Sequence, residues 1–245
     1  MKRSANRLYN DLAWLWPIWE DVEVYREESE LFARLIRKHA KIKVRTLLDV
    51  GCGGGKNTFH LKRHFEVTGI DVSKAMLANA KKLNPECTFR PADMRNFELK
   101  RQFDSVLIND ATAYMTTSRD LLKALKGAYR HLKAGGVMIT HPEECRESFK
   151  QNETTIWKAK TDDMEVTFIE NQFDPNPKDD TYEKTLLYLI RKKGKLRIEH
   201  DSHVCGLFKL STWRESLRKA GFRVSENRLR DAAKNIPVFC CVKPK

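Results

Sequence analysis

The sequence predicts an α/β fold: a doubly wound, seven-stranded, mostly parallel sheet carrying an inserted antiparallel β-sheet. Three observations lead there. A short apolar run, Thr46 to Val50, stops at the glycine cluster Gly51-Cys52-Gly53-Gly54-Gly55, and Thr58-Phe59-His60-Leu61 resumes with helical spacing. That order of strand, glycine turn and helix opens a nucleotide-binding α/β unit. Strand-like and helix-like segments then alternate to about residue 141, the signature of a parallel sheet. Finally, Phe222-Arg223-Val224 and Pro237 to Val242 read as two strands with a short link, which implies a closing hairpin and one antiparallel strand.

The glycine loop admits several readings. A dinucleotide fingerprint needs glycine at position 56, where Lys56 stands. A P-loop needs four residues between its glycines, but three separate Gly51 from Gly55, and Asn57 follows Lys56. What remains is D-x-G-x-G-x-G from Asp49, which suits a ligand without phosphates such as S-adenosylmethionine. The plain alternative is a glycine turn with no ligand.

Neighbouring segments weigh against the plain turn. Glu66 to Asp71 is a second strand ending in an acid, about 20 residues past Gly51, where a carboxylate can accept ribose hydroxyls. Phe89 to Met94 gives a third strand with Asp93 at its end, Gln102 to Asn109 a fourth, and Gly135 to Thr140 a turn feeding a fifth. Each candidate ligand group falls at the carboxyl end of a strand, where open α/β sheets bind ligands.

On these residues the chain resembles the class I S-adenosylmethionine-dependent methyltransferases. The matching stretches are Asp49 to Gly55, Gly69 to Leu77, Ala92-Asp93-Met94, Phe103 to Val106 and Leu132 to Gly136, in the family's order. The resemblance implies the methyltransferase variant of the doubly wound fold and S-adenosylmethionine as cofactor. It also implies roles. Gly51, Cys52 and Gly53 would pass under the methionine part. Asp71 would hold the ribose, with Val72 and Met76 flanking the adenine. Asp93 would take the adenine amino group, the Met94 backbone N–H a ring nitrogen, and Asn109 would lie near the methionine. Gly206 to Trp213, Ala220-Gly221-Phe222, the inserted sheet and the Tyr9 region add a diffuse similarity to small-molecule methyltransferases that dimethylate amino-sugar nucleotides. Thr140-His141-Pro142-Glu143-Glu144 departs from the aromatic-rich segment expected there.

At 245 residues, 41% hydrophobic and 32% charged, the chain is long enough for a full α/β core and too apolar for disorder. The net charge of +13 would suit an anionic partner such as RNA, but the basic residues are spread along the chain, apart from Arg191 to Arg197, which reads as a hairpin tip. Nucleic acid is therefore the less favoured partner. Six cysteines form no C-x-x-C pair and no zinc spacing, so no metal is expected and reduced thiols in the cytoplasm fit best. Cys240 and Cys241, adjacent on a strand, face opposite ways. No apolar run approaches membrane length.

The expected division is an N-terminal helical lid over 1–45, a cofactor-binding domain over 46–149 and 210–245, and an inserted sheet over 150–209. In the lid, Leu8, Tyr9, Leu12, Ala13 and Trp16 are spaced for one helical face until Pro17 interrupts, and a second helix runs to about His39. Core packing is the favoured reading of Trp14, Trp16 and Trp19, while Tyr9 is placed to reach the cofactor. Ser73, Ser118 and Ser211 are expected N-caps. The inserted sheet either roofs the substrate pocket or mediates a homodimer.

Methyl transfer from a sulfonium is an in-line displacement, so alignment supplies most of what the protein must do. An attacking amine must first lose its proton, which a nearby acceptor assists. Tyr114 and His141 are the leading candidates for that end of the pocket, followed by Glu143, Glu144 and His203. The expected activity is methylation of a small molecule at an amine nitrogen. The alternatives are an RNA or protein methyltransferase, disfavoured because Ile108-Asn109-Asp110-Ala111 lacks the Asn/Asp-Pro-Pro-Tyr/Phe signature, a small-molecule O-methyltransferase, and a non-catalytic binding protein.

Overall fold

The computed structural model describes residues 6–228 and 237–245. Five parallel strands make up most of the larger sheet: β1 (Thr46–Val50), β2 (Glu66–Asp71), β3 (Thr88–Pro91), β4 (Phe103–Ile108) and β5 (Leu132–Thr140). Two more, β10 (Arg223–Arg228) and β11 (Pro237–Val242), complete it in the order β10-β11-β5-β4-β1-β2-β3. β11 runs antiparallel to both its neighbours, as the expected hairpin requires; the link itself, 229–236, lies outside the described residues. The order turns back between β1 and β4, so the carboxyl ends of β1, β2 and β4 open a crevice at the switch point.

Helices cover both faces. α2 (Arg26–His39) and α3 (Lys56–Leu61) pack Phe32, Ile36 and Leu61 against one face, which takes Cys240. α5 (Ser118–His131) and α6 (Leu210–Lys219) pack Leu121, Leu125, Trp213 and Leu217 against the other, which takes Cys241. Adjacent strand residues thus serve opposite cores, as the alternation of the pleat demands. α4 (Lys74–Leu83) connects β2 to β3 and starts on Ser73, whose Oγ accepts the Met76 N–H at 3.0 Å. At α5 the cap is Thr117 rather than Ser118, and α6 begins at Leu210, one residue before Ser211.

Between β5 and α6 the chain builds a four-stranded antiparallel meander: β6 (Glu153–Lys160), β7 (Met164–Phe173), β8 (Thr181–Lys192) and β9 (Lys195–Gly206). These strands are longer than their apolar stretches suggest, because polar residues such as Lys184, Asp201 and His203 continue the ladder toward the crevice. Val166, Phe168, Leu186, Tyr188 and Ile190 bury the inner face against Leu8, Leu12 and Leu15. The N-terminal segment differs from the expected single helix. It is a string of short turns at Arg7–Tyr9, Ala13–Leu15 and Val22–Tyr25, with a one-turn helix α1 at Trp16–Trp19. Beyond its own turns, its backbone bonds to the small sheet and to α4: Asn6 N–H to Ser202 O at 3.2 Å, Leu8 N–H to Asp201 Oδ2 at 2.8 Å, and Ala13 O from Asn79 Nδ2 at 2.8 Å.

Candidate active site

A cavity of about 880 Å³ lies between the carboxyl edge of the large sheet, the inner face of the small one and the N-terminal segment. It is large enough for a nucleoside-sized ligand and a small second molecule.

The glycine-loop end is built mostly of backbone. The Gly51 and Cys52 N–H groups both bond Ile70 O, at 2.7 and 3.0 Å, which folds the loop over the end of β2. Gly51 has φ +73°, and a Cβ there would meet the Ala111 Cβ at 2.2 Å. At Gly54 a Cβ would lie 2.1 Å from the Trp16 indole, so the glycine is what lets the N-terminal segment seat on the loop. Beneath, Asp49 is buried with its carboxylate accepting Thr58 Oγ1–H at 2.7 Å; burial pushes its carboxyl up to about 6.

Asp71 lines the cavity and fixes the loop at the same time. Its Oδ2 accepts Gly53 N–H at 2.9 Å and its Oδ1 accepts Ser73 N–H at 2.8 Å. Burial raises its pKa, and these backbone donors hold it back. Asp93 lines the wall beyond, held below the ordinary carboxylate value by Arg95, whose Nε lies 3.0 Å from both its oxygens. Gly51, Cys52, Gly53, Val72, Met94, Asn109 and Tyr9 also reach the cavity. Met76 does not: it is fully buried behind Gly53 and closes the floor under the loop. Two residues the sequence reading passed over complete this end. Lys56 Nζ lies 4.9 Å from the Trp16 ring and 5.2 Å from Tyr25, donating to Glu20 O at 2.7 Å. Burial brings its pKa down to about 8. Asp110 adopts φ +52°, an uncommon conformation for a non-glycine residue. Its half-exposed side chain lines the cavity, and desolvation there pushes its carboxyl up to about 7 against the pull of His141.

His141 departs from its expected place. It is buried beside the Phe32 ring, 6.0 Å between centroids, with Nε2 against Asn109 Oδ1 and Nδ1 3.0 Å from Pro142 O. It therefore stands behind Asn109, away from the cavity wall, and fixes that amide, whose Nδ2 donates to Glu28 Oε1 at 2.7 Å.

The inserted-sheet end is built of side chains. Tyr114, from the turn after β4, places its hydroxyl 2.9 Å from Tyr9 Oη and 2.6 Å from His203 Nδ1. His203 Nε2 lies 2.8 Å from Asp201 Oδ2. Burial raises the pKa of both tyrosines well above the usual value, so they are neutral hydroxyls. Lys184 on β8, 8% exposed, is tied to Glu143 and lies 3.6 Å from Glu170. Burial alone would lower its pKa, but Glu143, Tyr182 and Glu170 outweigh it and hold the ammonium form. Trp157 and Trp19 close the side, with Trp157 Nε1 donating to Trp19 O at 3.0 Å. The tryptophans thus divide: Trp16 and Trp19 line the cavity, while Trp14 is exposed.

Two strand-end acids and a positive-φ glycine loop fit an adenosyl sulfonium: carboxylates accept hydroxyls and exocyclic amines, and they would repel phosphates. A reversed strand at the sheet's edge and a crevice of this chemistry define a class I methyltransferase scaffold.

Residues 47–136 match the family described as a methyltransferase domain. The chain is 27% identical over 203 residues to the dTDP-3-amino-3,4,6-trideoxy-α-D-glucopyranose N,N-dimethyltransferase of Streptomyces venezuelae, covering 82% of this chain and 84% of that one. Among solved structures, DesVI of Streptomyces venezuelae superposes with a TM-score of 0.81 at 25% identity, over 89% of this chain and 92% of that one. The sugar N-methyltransferase KedS8 of a Streptoalloteichus species gives 0.82 at 25% identity, over 96% and 92%. Residues 47–136 thus carry a methyltransferase domain, and the crevice at its strand ends fits S-adenosylmethionine. Among the described residues no helix is long and apolar enough to cross a membrane, and no cluster of His, Cys, Asp or Glu is arranged to hold a metal ion.

Proposed function

We propose that this enzyme methylates the amine nitrogen of a small molecule, with an amino sugar as the leading acceptor class. The observation that carries this is the charge at the inserted-sheet end. Glu143 and Glu170 face one ammonium, Lys184, inside a largely desolvated wall. That excess of negative charge favours a cationic or amine group over a neutral hydroxyl or an anion. The names of the relatives support the same class. The RNA, protein and O-methyl alternatives gain no comparable support.

In this reading the Gly51–Gly53 loop and Asn109 meet the methionine part, with Lys56 suited to its carboxylate. Asp71 holds the ribose, Val72 flanks the adenine, Asp93 takes the amino group and the Met94 N–H a ring nitrogen. Tyr9 closes the cavity as part of the lid. When bound, the cofactor supplies an electrophilic methyl group on sulfur. The chain's part is to hold the amine in line with it, keep water out with Trp16, Trp19 and Trp157, and accept the amine's proton.

Transfer of labelled methyl should be assayed on a panel of amino sugars, free and dTDP-linked, beside their hydroxyl analogues and RNA. Methylation confined to amines is expected; preference for a hydroxyl analogue or for RNA overturns the reading.

The outer face of the small sheet supports a further proposal, a homodimer. By strand alternation and register, Ile156, Leu187, Leu196 and Ile198 point away from the cavity, and all are exposed. So broad an apolar patch is characteristic of an interface. Sedimentation should give a dimer, and Leu187→Glu with Ile198→Glu a monomer; a monomeric parent protein removes the proposal.

A further inference from the structure

We infer that Asp201, His203 and Tyr114 form a proton path that removes the acceptor's ammonium proton before methyl transfer. The inference rests on the amine reading above and adds the groups that make the nitrogen nucleophilic.

Proton accounting along the chain of contacts supports it. Asp201 Oδ2 already accepts Leu8 N–H and its Oδ1 accepts Ser202 N–H, each at 2.8 Å. Burial works against its charge, but His203 and the Arg7 and Leu8 amides outweigh burial and hold the carboxyl below its ordinary value. An ionised carboxylate only accepts, so the His203 nitrogen beside it, Nε2, carries a proton. That leaves Nδ1 facing the Tyr114 hydroxyl at 2.6 Å. With one proton on the ring, Tyr114 donates to Nδ1. With two, Nδ1–H donates to the Tyr114 oxygen, and the hydroxyl proton turns toward Tyr9 Oη, 2.9 Å away, or toward a ligand. Tyr114 is thus a hydroxyl that can take a proton from the cavity side while giving its own to His203. Both residues line the cavity. Asp201 acts through the ring as a positioning residue.

The other charged groups around the imidazole are consistent with storing a proton there. Lys184 stands opposite His203 in the β8–β9 register, but Glu143 and Glu170 offset its charge. Tyr9, from the N-terminal segment, is neutral and its ring centroid lies 5.4 Å from the imidazole.

The step balances. An ammonium R–NH3⁺ gives a proton to the Tyr114 oxygen as the Tyr114 proton passes to His203 Nδ1. The freed nitrogen lone pair forms the N–C bond while the C–S bond breaks, its electron pair staying on sulfur. The product is R–NH2CH3⁺, and His203 returns one proton to solvent for each methyl transferred.

The test uses His203→Gln and Tyr114→Phe with a dTDP-linked 3-amino sugar as acceptor. Near pH 7 each variant should lose roughly 10²-fold in kcat, the usual worth of a positioned proton acceptor. The deficit should shrink by about tenfold per pH unit toward the amine's own pKa, as solvent takes over the deprotonation. Cofactor affinity by calorimetry should stay within about twofold, which also shows that the variants are folded. A deficit that is flat with pH overturns the path. A second readout needs no acceptor: ¹⁵N NMR of the His203 ring should find the proton on Nε2, and Asp201→Asn should abolish that preference. A neutral ring protonated on Nδ1 overturns the path as well. If the parent protein methylates no amine, the functional reading fails, while the NMR result still judges the path.

Discussion

The glycine-loop end of the cavity is assembled mainly from one stretch of chain, Gly51 to Asp110, whose groups sit at the ends of neighbouring strands and are held by backbone N–H groups. The inserted-sheet end collects Tyr9, Tyr114, Glu143, Lys184 and His203 from five separate segments, and acts through side chains whose charges offset one another. The first design depends on backbone geometry and on the strand-end carboxylates that fix it. The second depends on a balance of buried charge, so one removed partner exposes the rest. Variants at the two ends should therefore fail in different ways.

The largest effect is expected at Lys184→Met. It leaves Glu143 and Glu170 facing each other without their cation in a buried wall, which typically costs about 3–5 kcal/mol. Chemical denaturation should show that loss, and adding Glu143→Gln and Glu170→Gln should recover most of it. A cost below about 1 kcal/mol would mean the cluster is solvated, and the contrast between the two ends would vanish.

At the other end, Asp71→Ala should cost less stability than Lys184→Met, about 1–3 kcal/mol, but weaken cofactor binding by roughly 10²- to 10³-fold. Two backbone donors, Gly53 and Ser73, lose a charged acceptor together with the ribose contact. Asp71→Asn should fall between, because an amide oxygen can still accept one of them. Unchanged affinity in calorimetry would count against the ribose assignment.

The same contrast explains what the sequence made legible. Strand, glycine turn and strand-end acids are local patterns, so the sheet, its reversed strand and the cavity-lining positions from Gly51 to Asn109 were readable, apart from Met76, whose helix turns it under the loop. His203 alternates along β9 with Asp201, and only strand register shows that both face inward toward Tyr114. His141 follows a strand end just as Asn109 does, but packing against Phe32 from α2 holds it one layer below the cavity. The turns over residues 7–25 were hidden for a related reason. Their apolar spacing mimics a helical face, while the bonds that seat them go to the small sheet and to α4. Where a segment's partners lie far along the chain, periodicity misleads.

The smallest expected effect provides a control for the comparison, because Asp104 lies at the start of β4, at the opposite edge of the sheet from the cavity. Its Oδ2 accepts Arg45 N–H and Thr46 N–H, both at 2.9 Å, and its Oδ1 accepts Lys133 Nζ at 2.8 Å. Burial pushes its carboxyl up, but Lys133 and these backbone donors prevail and bring it down to about 2, from an ordinary 3.8. A depressed carboxylate pKa stabilises the fold above the unfolded value, and that stability is lost as pH falls through the folded one. The contribution should be whole above about pH 4 and gone by about pH 2. Lys133 is half exposed, so solvent screening trims the effect to about 1–2 kcal/mol. Asp104→Asn should lose that amount at neutral pH, converge with the parent protein near pH 2, and bind cofactor unchanged. If it weakened cofactor binding as Asp71→Ala does, strain would be passing through the sheet from edge to edge, and the two ends of the cavity could no longer be treated as separately built.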